Sequence, residues 1–341
     1  MIKVHIRNHD KGRNEPTFRP FIFVQQQFRD MGIEFVSEKS SHDFEFIGMA
    51  DFIDKKVSLQ ESIDKGVEFV NKLSGDYFLF DGSDSTSLMG AYEVFNESKA
   101  IYLFKNQLLR EREMYKTPYA FNKWFFKSGS ALDLTYDIPE KTWDKIKLSG
   151  WNLGWLLPHY HNFQQRCAEP IYDVCAVYQG YHPQNYDHTV RNDLFYTDHR
   201  VKAWQELEPL KDRLSILTSK LPQQEYYQKL WQSKVALSPF GMGEVCFRDF
   251  ELMMFGVPMI KPVMDMVYTY PNPYLADKTY IAVDLDWKNL SEKLEEYMAF
   301  PEKLFYIVEH FRDIFSQQYQ PENLCIHWHK IFSELNNVTT E

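Results

Sequence analysis

Length, composition and charge limit what this chain can be. Its 341 residues, 44% of them hydrophobic, suffice to bury two ordinary cores, so two domains of similar size are expected. Lys and Arg total 38 against 48 Asp and Glu, and the formal charge of -10 disfavours nucleic acid as a partner, since phosphates attract the opposite sign. The first residues lack the apolar core of a signal peptide, and no apolar run reaches the length of a membrane span.

The first half of the chain alternates strand-like and helix-like segments. The predicted strands are Lys3–Ile6, Phe44–Gly48, Tyr77–Phe80 and Ile101–Phe104, and the clearest helical pattern is Ser58–Leu73. This alternation is typical of an α/β domain with a parallel sheet. Four cysteines without a CxxC pair are typical of a reduced, cytoplasmic protein.

A polar cluster follows the predicted strand Tyr77–Phe80. Open α/β sheets bind ligands at the carboxyl ends of their strands, so Asp81 and Asp84 are candidate catalytic residues, one of them as a general base. Ser85 and Thr86 have a simpler explanation, which is slightly preferred, as hydroxyls that satisfy free amides before a helix.

The segment 108–127 mixes basic and aromatic residues, among them Arg110, Lys116, Tyr115 and Trp124. The preferred prediction is a helix packed within the first domain. The alternative is peripheral contact with an anionic membrane, which suits a lipid-linked ligand.

Periodicity is interrupted at Ser149–His161, and the domain boundary is placed there. The prediction is a first domain at 1–155, a second at 156–315, and a C-terminal helix at 316–341 that packs back toward the first. The second half again alternates strands and helices: Asp173–Tyr178, Asp198–Leu210, Leu214–Thr218, Gln223–Ser233, Thr279–Val283, Leu290–Met298, Glu302–Gln317 and Pro321–Leu335.

The segment Val235–Pro262 carries the strongest functional signal. A short strand leads into a turn with Gly241 and Gly243, whose backbone amides can approach a ligand closely. A helix follows, whose amino terminus favours negative charge such as a diphosphate, and Gly256 is expected to end it.

Charged residues at i, i+4 and i+7 share one face of this helix if it begins early enough: Glu244, Arg248 and Glu251. The opposite face is apolar and is expected to face the core: Phe247, Phe250, Met254 and Val257. An anion cradle, an arginine and carboxylates suit a nucleotide-sugar, with charge for the diphosphate and acceptors for the ribose hydroxyls. A surface helix with weak ion pairs is the less favoured alternative.

The segment resembles the donor-binding signature of GT-B glycosyltransferases of the group-1 and exostosin-like kind. In those families an Arg and a Glu on this helix hold the donor, and the matching positions are Arg248 and Glu251, with Glu244 as a further candidate. Six residues separate Glu244 and Glu251, which departs from the E-x7-E spacing of many retaining members. The resemblance implies two Rossmann-like domains, a deep interdomain cleft and C-terminal closing helices.

Three further matches follow a bacterial GT-B-like subgroup in order. They are a D-G-x-D-S-T loop at Asp81–Thr86, K-x-Q-L-L-[RK] at Lys105–Arg110, and W-N-x-G at Trp151–Gly154. They place Ser85, Lys105 and Asn152 on the acceptor side.

Four more residues are candidates for the donor side. Arg200 near the start of a helix can reach a phosphate, although a solvated helix residue is narrowly preferred. Lys261 can contact phosphate as a point charge. Tyr268 and Thr269 can offer an aromatic face and backbone amides, or form a plain loop.

The sequence therefore predicts a cytoplasmic, metal-independent glycosyltransferase that moves a sugar from a nucleotide-sugar donor to a hydroxyl of a glycan or glycolipid. No cofactor is expected, because the His and Asp pairs form only weak metal-ligand sets. The alternatives are a sugar-nucleotide epimerase on the same fold and a non-catalytic nucleotide- or glycan-binding homologue. A phage-type DNA glucosyltransferase would need a basic groove that this composition does not indicate.

Overall fold

The computed structural model describes residues 1–7, 15–52, 57–126, 129, 133–151, 162–177, 195–219 and 221–338. Its strands are β1 (Ile2–Arg7), β2 (Ile33–Val36), β3 (Phe44–Gly48), β4 (Asp76–Asp81), β5 (Leu103–Lys105), β6 (Gln107–Leu109), β7 (Tyr119–Ala120), β8 (Asp133–Leu134), β9 (Ile146–Leu148), β10 (Tyr172–Cys175), β11 (Ile216–Leu217), β12 (Ser233–Leu237), β13 (Met259–Pro262), β14 (Val267–Thr269) and β15 (Ile281–Val283). Its α-helices are α1 (Glu15–Phe23), α2 (Gln25–Asp30), α3 (Leu59–Val70), α4 (Ala91–Asn96), α5 (Glu140–Trp143), α6 (Phe195–Leu207), α7 (Gln223–Trp231), α8 (Phe247–Phe255), α9 (Leu290–Ala299), α10 (Pro301–Gln318) and α11 (Pro321–Val338).

Two parallel sheets organise the described residues. The first has the strand order β2-β1-β3-β4-β5-β9, the second has the order β11-β10-β12-β13-β15, and neighbouring strands in both are parallel. Parallel strands need crossover connections, which the helices between them supply. The predicted fold class, two Rossmann-like α/β halves, is confirmed.

Local sequence signals place several element ends. The hydroxyl of Ser58 caps α3 by accepting a hydrogen bond from the amide of Glu61 at 3.1 Å. Helix α8 ends at Gly256, whose φ of 67° is left-handed and suits glycine. The amide of Val257 then donates to the carbonyl of Leu252 at 2.9 Å, and the predicted stop is confirmed.

The predicted helix within 108–127 is wrong. Strand β6 pairs antiparallel with β14, and Phe121 and Asn122 have φ values of 55° and 53°, which no right-handed helix contains. The rings of Tyr115, Phe125 and Phe126 are buried, so the segment does not present them to a membrane surface. No helix among the described residues combines the length and apolar character that crossing a bilayer requires.

The C-terminal helix α11 returns to the first sheet. The indole of Trp328 packs at ring distances of 5.0 Å from Phe21, 5.1 Å from Phe46 and 4.6 Å from Phe104. Its Nε1 donates to the carbonyl of Ser149 at 2.9 Å. The predicted boundary between 155 and 156 lies outside the described residues, and the three domain limits stay predictions.

The two halves contact each other directly at the loops after β4 and β12. A Cβ added to Gly243 would lie 1.4 Å from the carbonyl oxygen of Asp84, so only glycine fits there. Next to it, the buried carboxylate of Glu244 accepts from the amide of Thr86 at 3.0 Å, from its hydroxyl at 2.6 Å and from the indole of Trp124 at 2.8 Å. These three residues, Glu244, Thr86 and Trp124, form the interdomain clamp.

We expect Gly243→Ala to reduce the free energy of unfolding by about 1–3 kcal/mol, because the methyl group overpacks this contact. Gly241→Ala is the matched control, since its Cβ would lie 3.1 Å from the flexible end of Arg200 and 3.8 Å from the sulfur of Cys246, with no backbone atom within 4 Å among its nearest contacts. The control should stay within about 0.5 kcal/mol of wild type in urea unfolding. Equal losses in the two variants would contradict the close approach of the halves.

Candidate active site

A cavity of about 1090 Å³ lies between the carboxyl ends of the two sheets. Its lining comes from both halves of the chain, which is where open α/β folds bind ligands. The first half contributes Pro16, Thr17, Gly82, Asp84, Asn106 and Gln107. Of the residues predicted from sequence, the structure brings five to this cavity: Asp84, Arg200, Gly241, Arg248 and Glu251.

Arg248 and Glu251 lie on α8 and face the cavity beside two tyrosines of α7. The Nε of Arg248 donates to the hydroxyl of Tyr226 at 3.2 Å, and the hydroxyl of Tyr227 donates to Glu251 at 3.0 Å. Partial burial raises the pKa of the Glu251 carboxyl, and Arg248 opposes this rise. The two residues predicted to bind the donor are thus held by tyrosine hydroxyls that the sequence did not indicate.

Helix α8 begins later than the spacing argument assumed. Its N-cap is Cys246, so Glu244 precedes the helix and does not share a face with Arg248. Phe247, expected in the core, is 49% exposed and lines the cavity with Val245 and Cys246. The amino terminus of α8 therefore opens on the cavity, where its partial positive charge favours an anion.

A buried carboxylate anchors this helix end. Asp249 accepts from the hydroxyl of Ser238 at 2.5 Å, the hydroxyl of Tyr274 at 2.7 Å and the amide of Cys246 at 3.1 Å. Lys261 lies 3.1 Å from the same carboxylate and is fully buried. The predicted phosphate ligand Lys261 is therefore engaged beneath the cavity wall, and Asp249 is the residue that the sequence analysis missed. Its position, three residues after an N-cap, was the available signal.

Besides Lys261, four predicted donor residues lie away from the cavity. Gly243 and Glu244 are used in the contact between the halves. Tyr268 and Thr269 lie on β14, whose backbone pairs with β6. Tyr268 is 47% exposed beside Arg110, and the hydroxyl of Thr269 donates to the carbonyl of Pro271.

On the opposite wall, Asp84 lies in the cavity while Asp81 is buried beneath it. The ammonium of Lys105 lies 2.5 Å from Asp81 and 2.6 Å from the carbonyl of Ser87. The ion pair of Lys105 and Asp81 therefore stabilises the loop that follows β4. Reduced hydration within the cleft raises the pKa of the Asp84 carboxyl above its ordinary value of 3.8, and the charge of Lys123 opposes that rise. Of the two predicted carboxylates, Asp84 is the one placed to meet a ligand.

Two further acceptor-side predictions have different outcomes. Ser85 is buried next to the contact between the halves. Asn152 lies outside the described residues.

Thr17 and Gln107 line the first-half wall without having been predicted. Gln107 is the Q of the K-x-Q-L-L match, and that match was the only sequence signal for it.

The described part of the chain also contains four thiols and side chains that could bind metal ions. No group of three His, Cys, Asp or Glu side chains with metal-binding geometry occurs there. The independence from metal stays a prediction. All four cysteines are free thiols.

Comparisons with known proteins find similarity in structure. No protein-family model matches the sequence, and neither does any curated protein. Sucrose-phosphate synthase from Thermosynechococcus elongatus aligns with a TM-score of 0.50 and 10% identity over 99% of this chain and 100% of that one. An alpha-glucosyltransferase in complex with UDP and a 13-mer DNA has a TM-score of 0.45 and 11% identity over 100% and 99%. Anabaena HepE in complex with UDP and glucose has a TM-score of 0.39 and 10% identity over 98% and 99%.

The first of these similarities concerns the fold. Together with the two parallel sheets and the cleft between them, it confirms the GT-B fold that the sequence resemblance implied. Fold alone does not define the reaction, which depends on the side chains of the site.

Lys261→Met should lower the free energy of unfolding by about 3–5 kcal/mol, because it leaves the buried Asp249 charge without its cation. The matched control is Lys288→Met, which breaks an exposed 2.5 Å pair with Asp286. That control should change stability by about 0–1 kcal/mol. Urea unfolding measures both, and similar values would show that the buried pair does not anchor α8.

Proposed function

We propose that this protein is a glycosyltransferase that moves a sugar from a nucleotide-sugar donor to a hydroxyl acceptor. The observation that carries the proposal is that Arg248 and Glu251 from one half and Asp84 from the other line the same cavity. A transfer reaction needs two substrates to meet, and this cavity is bounded by both halves at their ligand-binding edges. The shared fold with sucrose-phosphate synthase supports the proposal.

The second half provides the donor side. Arg248, Arg200 and the amino terminus of α8 supply positive charge for a diphosphate, and Glu251 supplies an acceptor for ribose hydroxyls. During transfer the bond between the anomeric carbon and the diphosphate breaks, and negative charge grows on the leaving oxygen. Preorganised positive groups lower the barrier most at that point. This arrangement supports transfer without a metal.

The first half provides the acceptor side. We assign Asp84 the role of general base in an inverting transfer, where its carboxylate takes the proton of the acceptor hydroxyl as the oxygen bonds to the anomeric carbon. The acceptor we propose is a glycan or glycolipid, because the charge of -10 opposes a nucleic acid. A cytoplasmic location is supported by the free cysteines.

Nucleotide binding is the first test. One of UDP, GDP, dTDP and CMP should raise the melting temperature of the wild type, and Arg248→Ala should lose most of that shift, since each charge-assisted hydrogen bond contributes about 1.5–3 kcal/mol. Arg213→Ala is the matched control, because the side chain of Arg213 lies outside the cavity lining and forms an exposed pair with Glu295. Equal shifts in the wild type and Arg248→Ala would contradict the donor site.

Asp84→Asn separates a transferase from a non-catalytic binder. It should keep wild-type nucleotide affinity and lose about 10²–10⁴-fold in transfer to a glycan panel, with EDTA leaving the wild-type rate unchanged. A general base must be deprotonated, so the rate of transfer should fall as the pH drops through the raised pKa of the Asp84 carboxyl. Lys123→Met should move this acid limb to higher pH, since Lys123 holds the pKa down. Full activity of Asp84→Asn would point to a retaining transfer instead.

A further inference from the structure

The Gln107 side chain is polar, buried and unpaired. It lines the cavity at 1% exposure, and neither its Nε2 nor its Oε1 has a hydrogen-bond partner in the part of the chain that the structure describes. An unsatisfied buried polar group destabilises the folded state, and native proteins contain few such groups. A side chain kept in this state at a cavity wall is a candidate for ligand binding.

Its neighbours in the sequence do not share this property. The amide nitrogen of Asn106 donates to the carbonyl of Gly82 at 3.2 Å, and its oxygen accepts from Ser149 at 3.0 Å. Lys105 is paired with Asp81. The unpaired amide is therefore specific to Gln107 among these three consecutive residues.

The backbone of Gln107 is held in place. It is the first residue of β6 and lies opposite Thr269 in the antiparallel pair with β14. Its side chain consequently projects from a short ribbon rather than from a loop, and a group held in this way can bind a ligand with little loss of conformational entropy.

The chemistry of an amide narrows the ligand. Its N–H groups donate and its carbonyl accepts, side by side. A phosphate offers acceptors and an ammonium offers donors, so each would leave half of the amide unpaired. Of two hydroxyls on adjacent ring carbons, one can accept from the amide N–H while the other donates to the amide carbonyl.

We propose that Gln107 forms a subsite for two neighbouring hydroxyls of a sugar ring. The subsite deepens the proposed function and rests on it for the source of the sugar. That source is either the sugar of the donor or the acceptor glycan, because both must enter the same cavity.

Gln107→Met, with Gln107→Leu as a second variant, tests the inference. Each replaces the amide with an apolar side chain of similar size. Because no hydrogen bond is lost, the melting temperature should equal or exceed that of wild type. Asn106→Leu is the matched control: its amide is hydrogen-bonded, and we expect a lower melting temperature.

Ligand binding is then measured by calorimetry on the wild type and Gln107→Met. The probes are UDP-glucose, UDP-galactose, GDP-mannose and dTDP-glucose, each beside its bare nucleotide, and the methyl glycosides of glucose, galactose and mannose. We expect at least one sugar probe to lose about tenfold or more in affinity, with the bare nucleotide unaffected. Loss for a nucleotide-sugar identifies the donor sugar as the source, and loss for a methyl glycoside identifies the acceptor.

Three results would overturn the subsite: unchanged sugar affinity in Gln107→Met, a melting temperature as low as that of Asn106→Leu, or no sugar probe bound by the wild type. Failure of the proposed function has a different signature. Methyl glycoside binding through Gln107 without any nucleotide binding would remove the transferase and keep the subsite. Nucleotide binding that depends on Arg248, with sugar affinity independent of Gln107, would remove the subsite and keep the transferase.

Discussion

The interdomain clamp determines the geometry of the rest of the site. The Glu244 carboxylate is buried between the halves and accepts hydrogen bonds from both donors of Thr86, its amide and its hydroxyl, and from the indole of Trp124. Removing a carboxylate from water is unfavourable, and burial raises its pKa while the Thr86 hydrogen bonds oppose the rise. Because the clamp adjoins Gly243 and Asp84, it sets the separation between the two walls of the cavity.

A second buried charge sets the orientation of the cavity wall that α8 forms. Asp249 joins the start of α8 to the strand end at Ser238 and to Lys261 on β13. The helix that carries Arg248 is therefore fixed to the second sheet at its first turn. Two buried carboxylates, one between the halves and one within the second half, thus position the groups that line the cavity.

The sequence predicted the fold better than the site. Periodic segments such as Ser58–Leu73 and the Gly256 stop act locally, and the structure contains them. Glu244 is different, because its partner Thr86 lies 158 positions away. The local sequence around Glu244 does not show this pairing, and it therefore predicts that the carboxylate binds a ligand. The partners in the pairing of β6 with β14 are similarly far apart along the chain, which explains why the sequence of 108–127 predicts a helix. The unpaired state of Gln107 depends on what surrounds it in space, and only the structure reveals it.

The position of Trp328 has a consequence for synthesis of the protein. Its indole fills part of the aromatic core of the first half, between Phe21, Phe46 and Phe104. On the ribosome these phenylalanines emerge long before the indole that completes their packing. The first half of a nascent chain therefore carries an unfilled apolar site until α11 has been made, and its folding is finished only after most of the second half has left the exit tunnel.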